Sequence, residues 1–429
     1  MNPPIRVAII GGGLAGASLI HALVKFSHLN VHIFETAQEF KEAGMAIGIA
    51  RNAQAALELI GPSAAKCLDE AGAVPMRGVR FMLARGEGAG TMADEVDDIV
   101  QGKRLTSIVH RVNLLEALLA NIPQDRMHAS KKLQTIDHNG SITLTFIDGS
   151  IFECDILIGA DGIHSTVRKL ILDENDPAAS PQNSGAWFLM TLQPFEKAQA
   201  SLGKEHVNIE DAREYGWAGH SAFLMHNILS SGQLVQFAIA SNDKEAESGS
   251  SSLNEWKRIV RAEEIKRLFQ DWPPHLQNAV NELLCSQPEH EASYLWDHPK
   301  ARTYVSGPIC VTGDAAHSTT PWQGSGGGMS IEDSLILSTL LGHAKTPAEA
   351  LIALKVYDRV RRPRTQRIVE SSRATGDMLT GNAKLDPKTG TSFMSRWDFI
   401  IDIDIEKHRD EALQMMDAEL GSQCPKITT

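Results

Sequence analysis

Cationic charge, cysteine and long apolar runs are all in short supply in this 429-residue chain, and each shortage excludes something. Lysine plus arginine number 41 against 53 aspartate plus glutamate, a formal net charge of −12. Nucleic acid or an anionic membrane needs a cationic surface, so neither is expected as the main partner. A buried anion site needs only a few local donors and is untouched by that balance. The five cysteines, Cys67, Cys154, Cys285, Cys310 and Cys424, lie far apart, with no Cys-x-x-Cys pair and no histidine beside them at zinc spacing. Such scattered thiols read as reduced, in a cytoplasmic compartment, with neither metal nor disulfide expected. Only residues 5–24 are apolar enough to resemble a signal or membrane segment, and the glycines at 11, 12, 13 and 16 interrupt them. No membrane span is therefore expected.

What is present is an ordinary globular composition, 42% hydrophobic and 22% charged, long enough for two or three domains. A β-branched run at 5–10 ends in glycines and leads into helical periodicity at Leu14, Ser18, Leu19 and Leu23, and a second short apolar run, Val31–Phe34, is closed by Glu35. Strand, glycine turn, helix and strand make a βαβ unit, which implies a parallel sheet. Residues 110–122 read as an amphipathic helix. Residues 142–162 read as a hairpin around Asp148-Gly149 that runs into a buried strand. From about 178 to 300 the texture turns aromatic and strand-like, with alternation over 221–240, a surface loop at 247–253 and a helix near 254–270. A strand at 308–313 runs into another glycine-rich turn, and 329–343 reads as a long helix.

The expected architecture is α/β: a Rossmann-like nucleotide-binding domain interrupted by a β-sheet substrate domain, with a C-terminal helical segment. Its expected boundaries are 1–177 and 301–385 for the two parts of the nucleotide domain, 178–300 for the β-rich domain and 386–429 for the last segment. Residues 75–106 are expected to lend strands to the β-rich domain.

Three motifs carry chemistry. Gly11–Gly16, GGGLAG, satisfies G-x-G-x-x-G directly after a strand and at the start of a helix. Missing Cβ atoms there let the backbone approach a pyrophosphate on the positive end of the helix dipole. Glu35, at the end of the next strand, can accept both ribose hydroxyls of an adenosine and would repel a 2′-phosphate, so FAD or NAD is expected here. The second motif, GADGIHSTVR (159–168), offers the Asp161 carboxylate and the Arg168 guanidinium at the carboxyl edge of the sheet. The bland alternative is a tight turn whose Asp161 or Ser165 caps a helix. The third motif closes a strand with Gly313-Asp314, fixes a turn at Pro321 and sets Gly324, Gly326, Gly327 and Gly328 ahead of a helix. Free N–H groups at that helix start can face the flavin edge where negative charge accumulates on reduction.

In order and spacing these motifs resemble the class A flavoprotein monooxygenases, single-component aromatic hydroxylases of the p-hydroxybenzoate hydroxylase fold, and most of all their salicylate hydroxylase branch. The likeness spans GGGLAG…FE at 11–35, HR at 110–111, the DG segment, GDAAH with the proline and glycines at 313–328, IEDS at 331–334 and RRPR at 361–364. It implies FAD as cofactor. Gly11, Gly13, Leu14, Ala15, Gly16 and Glu35 would bind its ADP half, and Arg111 would lie along the ribitol-pyrophosphate. Asp314 would hold the ribitol, and the turn from Pro321 through Gly328 would flank the isoalloxazine. Asp161 belongs to a segment that the resemblance links to both FAD and NADH or NADPH.

By the same resemblance, NAD(P)H would reduce FAD, O2 would add at flavin C4a, and the hydroperoxide would hydroxylate a phenolic small molecule, with decarboxylation or dearomatisation at some ring positions. A flavin oxidase, an epoxidase of a non-aromatic metabolite and a non-catalytic binding protein of the same fold are the alternatives. A monomer or homodimer is expected.

The substrate half departs from that branch. Met190 stands where an arginine is usual, Met225 where a proline is, and Ala50-Arg51-Asn52 replaces a Gly-Pro-Asn. His220, in Gly-Trp-Ala-Gly-His, reads alone as a hydrogen-bonded histidine; with the resemblance it becomes the candidate catalytic base for a phenol proton. Trp217, Met225, Met190 and Trp322 are the candidate pocket residues. Arg359, Arg361, Arg362, Arg364 and Arg367 read as a solvated helix end that pairs with nearby acids.

Overall fold

The computed structural model describes residues 3–41, 46–219, 221–242, 255–380 and 393–423. The apolar run Ile5–Ile10 is the spine of a six-stranded sheet. Leu29–Phe34 and Ile156–Gly159 pair with it in parallel on its two sides, with Val7 opposite Val31 and Ile156. Met127–His128 extends one edge of this sheet, and Ile309–Val311 followed by Val305–Ser306 extends the other. Both faces are covered, so the strands read as continuous apolar runs. Ile156, Leu157 and Ile158 are all buried. The helices Leu14–Leu23, Gly326–His343 and Pro347–Leu379 contribute to the same core. Across the sheet lies a three-stranded antiparallel unit, Leu133–Asn139, Ser141–Phe146 and Ile151–Cys154, whose hairpin turns at Asp148-Gly149. Gly149 takes φ of +81° there, and the Asp148 carboxylate accepts from the Ser150 amide at 3.0 Å.

A second, eight-stranded sheet runs in the order 257–261, 289–297, 182–194, 234–242, 222–229, 213–218, 78–83 and 92–97. Gly78–Leu83 and Met92–Asp97 join it from far upstream, and Arg213–Ala218 pairs with Gly78–Leu83 in parallel. One face of this sheet packs on the helical segments 195–202, 262–268 and 274–284 around Trp187, Trp217, Phe237 and Phe269. The other face turns toward Trp322 and the segment Phe393–Trp397. A small sheet of Ala46–Ile49, Thr106–His110 and Val74–Met76 joins the two bodies; Gln236 accepts from the Ala46 amide at 2.8 Å, and Gly327 approaches Ile47.

The expected helix near 254–270 is shorter than its sequence pattern implied. Lys257–Arg261 is an edge strand, because period-2 alternation buries Val260 and leaves Ile259 56% exposed, and only Ala262–Leu268 is helical. The loop at 247–253 lies outside the described residues.

Candidate active site

The strand Ile5–Ile10 ends at Gly11, which adopts φ of +107°. A Cβ there would sit 2.2 Å from the Ala160 carbonyl oxygen, and one on Gly16 would sit 2.0 Å from the Gly11 oxygen. Both approaches lie far below any real Cβ contact, so the turn requires glycine. Gly13 precedes the helix Leu14–Leu23 with no side-chain cap, which leaves first-turn N–H groups for an external acceptor. Glu35 stands at the lip of this turn. One of its oxygens accepts from the Gly12 amide at 2.6 Å and the other from the Ala37 amide at 2.7 Å.

The DG segment lies directly beneath that turn, and its geometry is that of a helix cap. Asp161 accepts from the Ser165 hydroxyl at 2.5 Å and from the Thr166 and Val167 amides, while Ser165 accepts from the Arg168 amide at 2.8 Å. Burial pushes the Asp161 carboxyl above its ordinary value, against these hydrogen bonds. Arg168 is buried as well. Its guanidinium donates to the Ala178, Ala315 and Ala316 carbonyls and so ties this segment to the third motif. Burial lowers its pKa to about 10.

In the third motif Gly313, at φ +58°, packs against Ala15: a Cβ on Gly313 would lie 2.5 Å from that methyl. Gly327 likewise meets Leu14, so the uncapped starts of the helices Leu14–Leu23 and Gly326–His343 converge. Gly326, Gly327 and Gly328 form the first turn of the second of these, after a short helical turn Pro321–Gln323 that Gly324 ends at φ +60°. Asp314 opens the short helix Asp314–His317. It is partly exposed, and among the described residues no hydrogen bond or ion pair reaches its carboxylate.

A buried ionic network fixes this arrangement. Asp333 accepts from the Gly313 amide, the Thr312 hydroxyl, His317 Nε2 at 2.6 Å and Arg361 Nε at 2.7 Å. Glu332 pairs with Arg361 at 2.6 Å and Arg364 at 2.8 Å and accepts from Asn52. Burial alone would raise both carboxyls. Arg361 and Arg364 outweigh it and hold Glu332 down to about 2, and His317 and Arg361 hold Asp333 well below the carboxylate range. The arginine cluster is therefore not a solvated helix end. It lies inside the helix Pro347–Leu379 with Arg361 fully buried, because two acids on the neighbouring helix need a partner out of water.

Met190, Met225 and Trp322 share one region. Across the large sheet Met190 pairs with Ala238, Ala238 with Met225, Met225 with Gly216 and Gly216 with Phe81, a row on a single face. Phe223 stacks on Phe81 at the end of this row, and Trp322 meets Phe223 edge-on at 6.0 Å. Trp217, expected with them, points to the opposite face, because one residue of offset along a strand reverses the side. It is buried against Tyr215, His206 and His275, and its Nε1 donates to His226 at 3.3 Å. Phe81, Phe393 and Trp397, which pack edge to face on the Met225 side of the sheet, were not singled out from the sequence. Their only signal was period-2 alternation at 78–83 and the four-residue spacing of two aromatics. Arg111 is the partly buried first residue of the helix Arg111–Leu119, and His220 lies outside the described residues.

Glycine cradles that exclude any Cβ, two uncapped helix starts and an unpartnered carboxylate suit a long, anionic, hydroxyl-rich ligand, and a dinucleotide has that chemistry. Comparisons with known proteins agree. The FAD binding domain family matches residues 4–372. The chain is 33% identical to a 6-methylsalicylate 1-monooxygenase of Aspergillus terreus, covering 96% of this chain and 92% of that one. It is 29% identical to a salicylate hydroxylase of Pseudomonas putida, covering 98% and 97% of the two chains. A solved salicylate hydroxylase substrate complex superposes with a TM-score of 0.80 at 24% identity, over 95% of this chain and 98% of the other. The chain belongs to the FAD binding domain family and is an FAD-dependent monooxygenase of the salicylate hydroxylase type. Among the described residues no helix is long and apolar enough to cross a membrane.

Proposed function

We propose that this monooxygenase hydroxylates a small phenolic ring, using NADH or NADPH as reductant and O2 as oxidant. The observation that carries the reading is the juxtaposition of two glycine-lined helix starts with an aromatic sheet face bearing Met190, Met225 and Phe223. Held by these residues, FAD would supply the redox chemistry that couples oxidation of the nicotinamide to transfer of one oxygen atom from O2 to an electron-rich carbon, the other leaving as water.

The chain's own residues position and polarise. The Gly11–Gly16 turn with Leu14 and Ala15 would receive the pyrophosphate on free N–H groups, and Glu35 would turn from the Gly12 amide toward a ribose. Asp314 would accept from ribitol hydroxyls, Arg111 would neutralise the phosphates, and Pro321 with Gly324–Gly328 would shape the ring site. Asp161 would serve through backbone geometry, since its carboxylate is committed to a helix cap. His220 would take the phenol proton, because a phenolate attacks an electrophilic oxygen far better than a phenol. Phe81, Phe223 and Trp322 would exclude water around the ring.

The two named relatives act on salicylate-type rings; Met190, in place of an arginine, favours an uncharged phenol here. The test is purified protein that turns yellow with FAD, given a panel of phenols while NAD(P)H oxidation and product mass are followed. Phenol-stimulated oxidation with products one oxygen heavier is expected. Ring-independent peroxide as the sole product sinks the reading.

A further inference from the structure

The large sheet sorts its charges by face. Arg80 and Arg213 point to the helix-covered side, where Arg80 donates to Glu95 and the Tyr215 hydroxyl and Arg213 pairs with Asp97 and Asp211. On the pocket side, the five strands that span Met190 to Phe81 carry no lysine or arginine among the described residues. They carry Glu214 instead. Glu214 alternates with Gly216 and Ala218 and pairs with Val79, whose side chain joins the Phe81–Phe223 cluster.

Next in register after Tyr215–His226 comes Asn227, and Gln236 lies beyond it, its amide donating to Asn227 Oδ1 at 3.4 Å. This polar row runs beside the apolar row of Met190, Met225 and Phe81. It is also incomplete. Asn227 is 1% exposed and its Nδ2 has no partner, and among the described residues nothing bonds to the Glu214 carboxyl. Burial pushes that carboxyl up to about 7. The cations on the covering segments are engaged elsewhere, Arg51 with Asp98 and Asp402, Arg396 with Thr375 and the Ser371 carbonyl. Asp94, opposite Phe81 on this face, accepts from the Met394 amide.

The geometry points to Glu214, with Asn227, as the specificity-determining end of the pocket: it accepts a hydrogen bond from a second hydroxyl on a neutral ring and turns away a ring that carries a carboxylate. The physical reason is asymmetry. A donor hydroxyl satisfies a half-buried carboxyl that otherwise has no partner among the described residues, whereas a carboxylate leaves it unpaired and adds like charge where none of the described cations compensates. This rests on the proposed function and names the substrate class of that same site.

The test titrates purified holoenzyme, above the Glu214 pKa of about 7, with catechol and with salicylate, rings that differ in hydroxyl against carboxylate. Binding is read from perturbation of the flavin absorbance. The parent is expected to bind catechol more tightly. Glu214→Gln should narrow the catechol-to-salicylate ratio of Kd by about tenfold, the scale of one like-charge contact relieved near a protein surface, with FAD retention unchanged. Glu214→Leu should relieve salicylate as well but weaken catechol, since the acceptor is gone. A parent that prefers salicylate, or a ratio unchanged in both variants while the flavin responds to ligand, overturns the Glu214 assignment alone. A flavin that responds to neither ring, with no phenol-stimulated NAD(P)H oxidation, overturns the functional reading and this inference with it.

Discussion

The cofactor half and the pocket face of this protein build recognition from opposite materials. Around Gly11, Gly16 and Gly313 the working element is backbone, exposed because a Cβ has no room: 2.2, 2.0 and 2.5 Å from its nearest neighbour. On the sheet face the working element is the side chain, and a single residue of offset puts Trp217 and Met225 on opposite sides of the sheet. The first kind of site tolerates almost no substitution at those glycines. The second kind can change ligand by changing one side chain, the role proposed above for Met190 and Glu214.

Removing the support beneath the cofactor half should cost most. Arg361→Met leaves Glu332 and Asp333 buried, with Asp333 dependent on His317 alone for charge, and should destabilise the fold by about 3–5 kcal/mol. Thermal or urea unfolding of the apoprotein measures it, and a loss under 1 kcal/mol would mean that water already reaches the network. The same network predicts acid sensitivity. Glu332 titrates lower folded than its ordinary 4.5, so its contribution is complete above that pH and is lost as pH falls toward about 2.

A somewhat smaller loss is expected inside the cradle itself. Gly16→Ala forces a methyl onto the Gly11 carbonyl and should destabilise by about 1–3 kcal/mol, with FAD retention falling in parallel. If the variant keeps both, the close approach of helix and turn is not needed for binding.

Asp314→Ala separates ligand binding from folding. Because its carboxylate has no partner among the described residues, unfolding of the apoprotein should be unchanged, while FAD affinity should drop by about 1–3 kcal/mol, the scale of a hydrogen bond to a charged group. Equal FAD affinity in parent and variant would remove Asp314 from the cofactor site.

The smallest effect tests the two faces of the sheet. Trp217→Phe deletes the bond to His226 and should cost about 1 kcal/mol of stability without changing KM for any phenol, whereas Met225→Ala should change the preference among rings. A shift in ring preference from Trp217→Phe would show that the helix-covered face communicates with the pocket.

The glycine motifs, Glu35, the helix at 110–122, the hairpin at Asp148-Gly149 and the strands of 221–240 were all legible because each is a local rule: a missing Cβ, a period or a turn residue. The cap made by Asp161 and Ser165 was legible only as an alternative to ligand binding, since one dipeptide serves both purposes. The arginines at 361–364 misled for a different reason. Charge in a helix implies solvent unless acids on another helix come to meet it, and Glu332 and Asp333 do so from about thirty positions upstream.

By itself the sequence determined the nucleotide-binding βαβ unit and the second glycine-rich helix start, because a β-branched run, a glycine turn and a helical period are each patterns written within a few residues. Only the tertiary structure decided that these two starts converge at Leu14 and Gly327, that Gly78–Leu83 completes a sheet begun more than a hundred residues later, and that Glu214 rather than Trp217 shares the sheet face of Met225 and Phe81. Those outcomes depend on register and on distant partners, and a side chain's face is set by the strand beside it rather than by its neighbours in the chain.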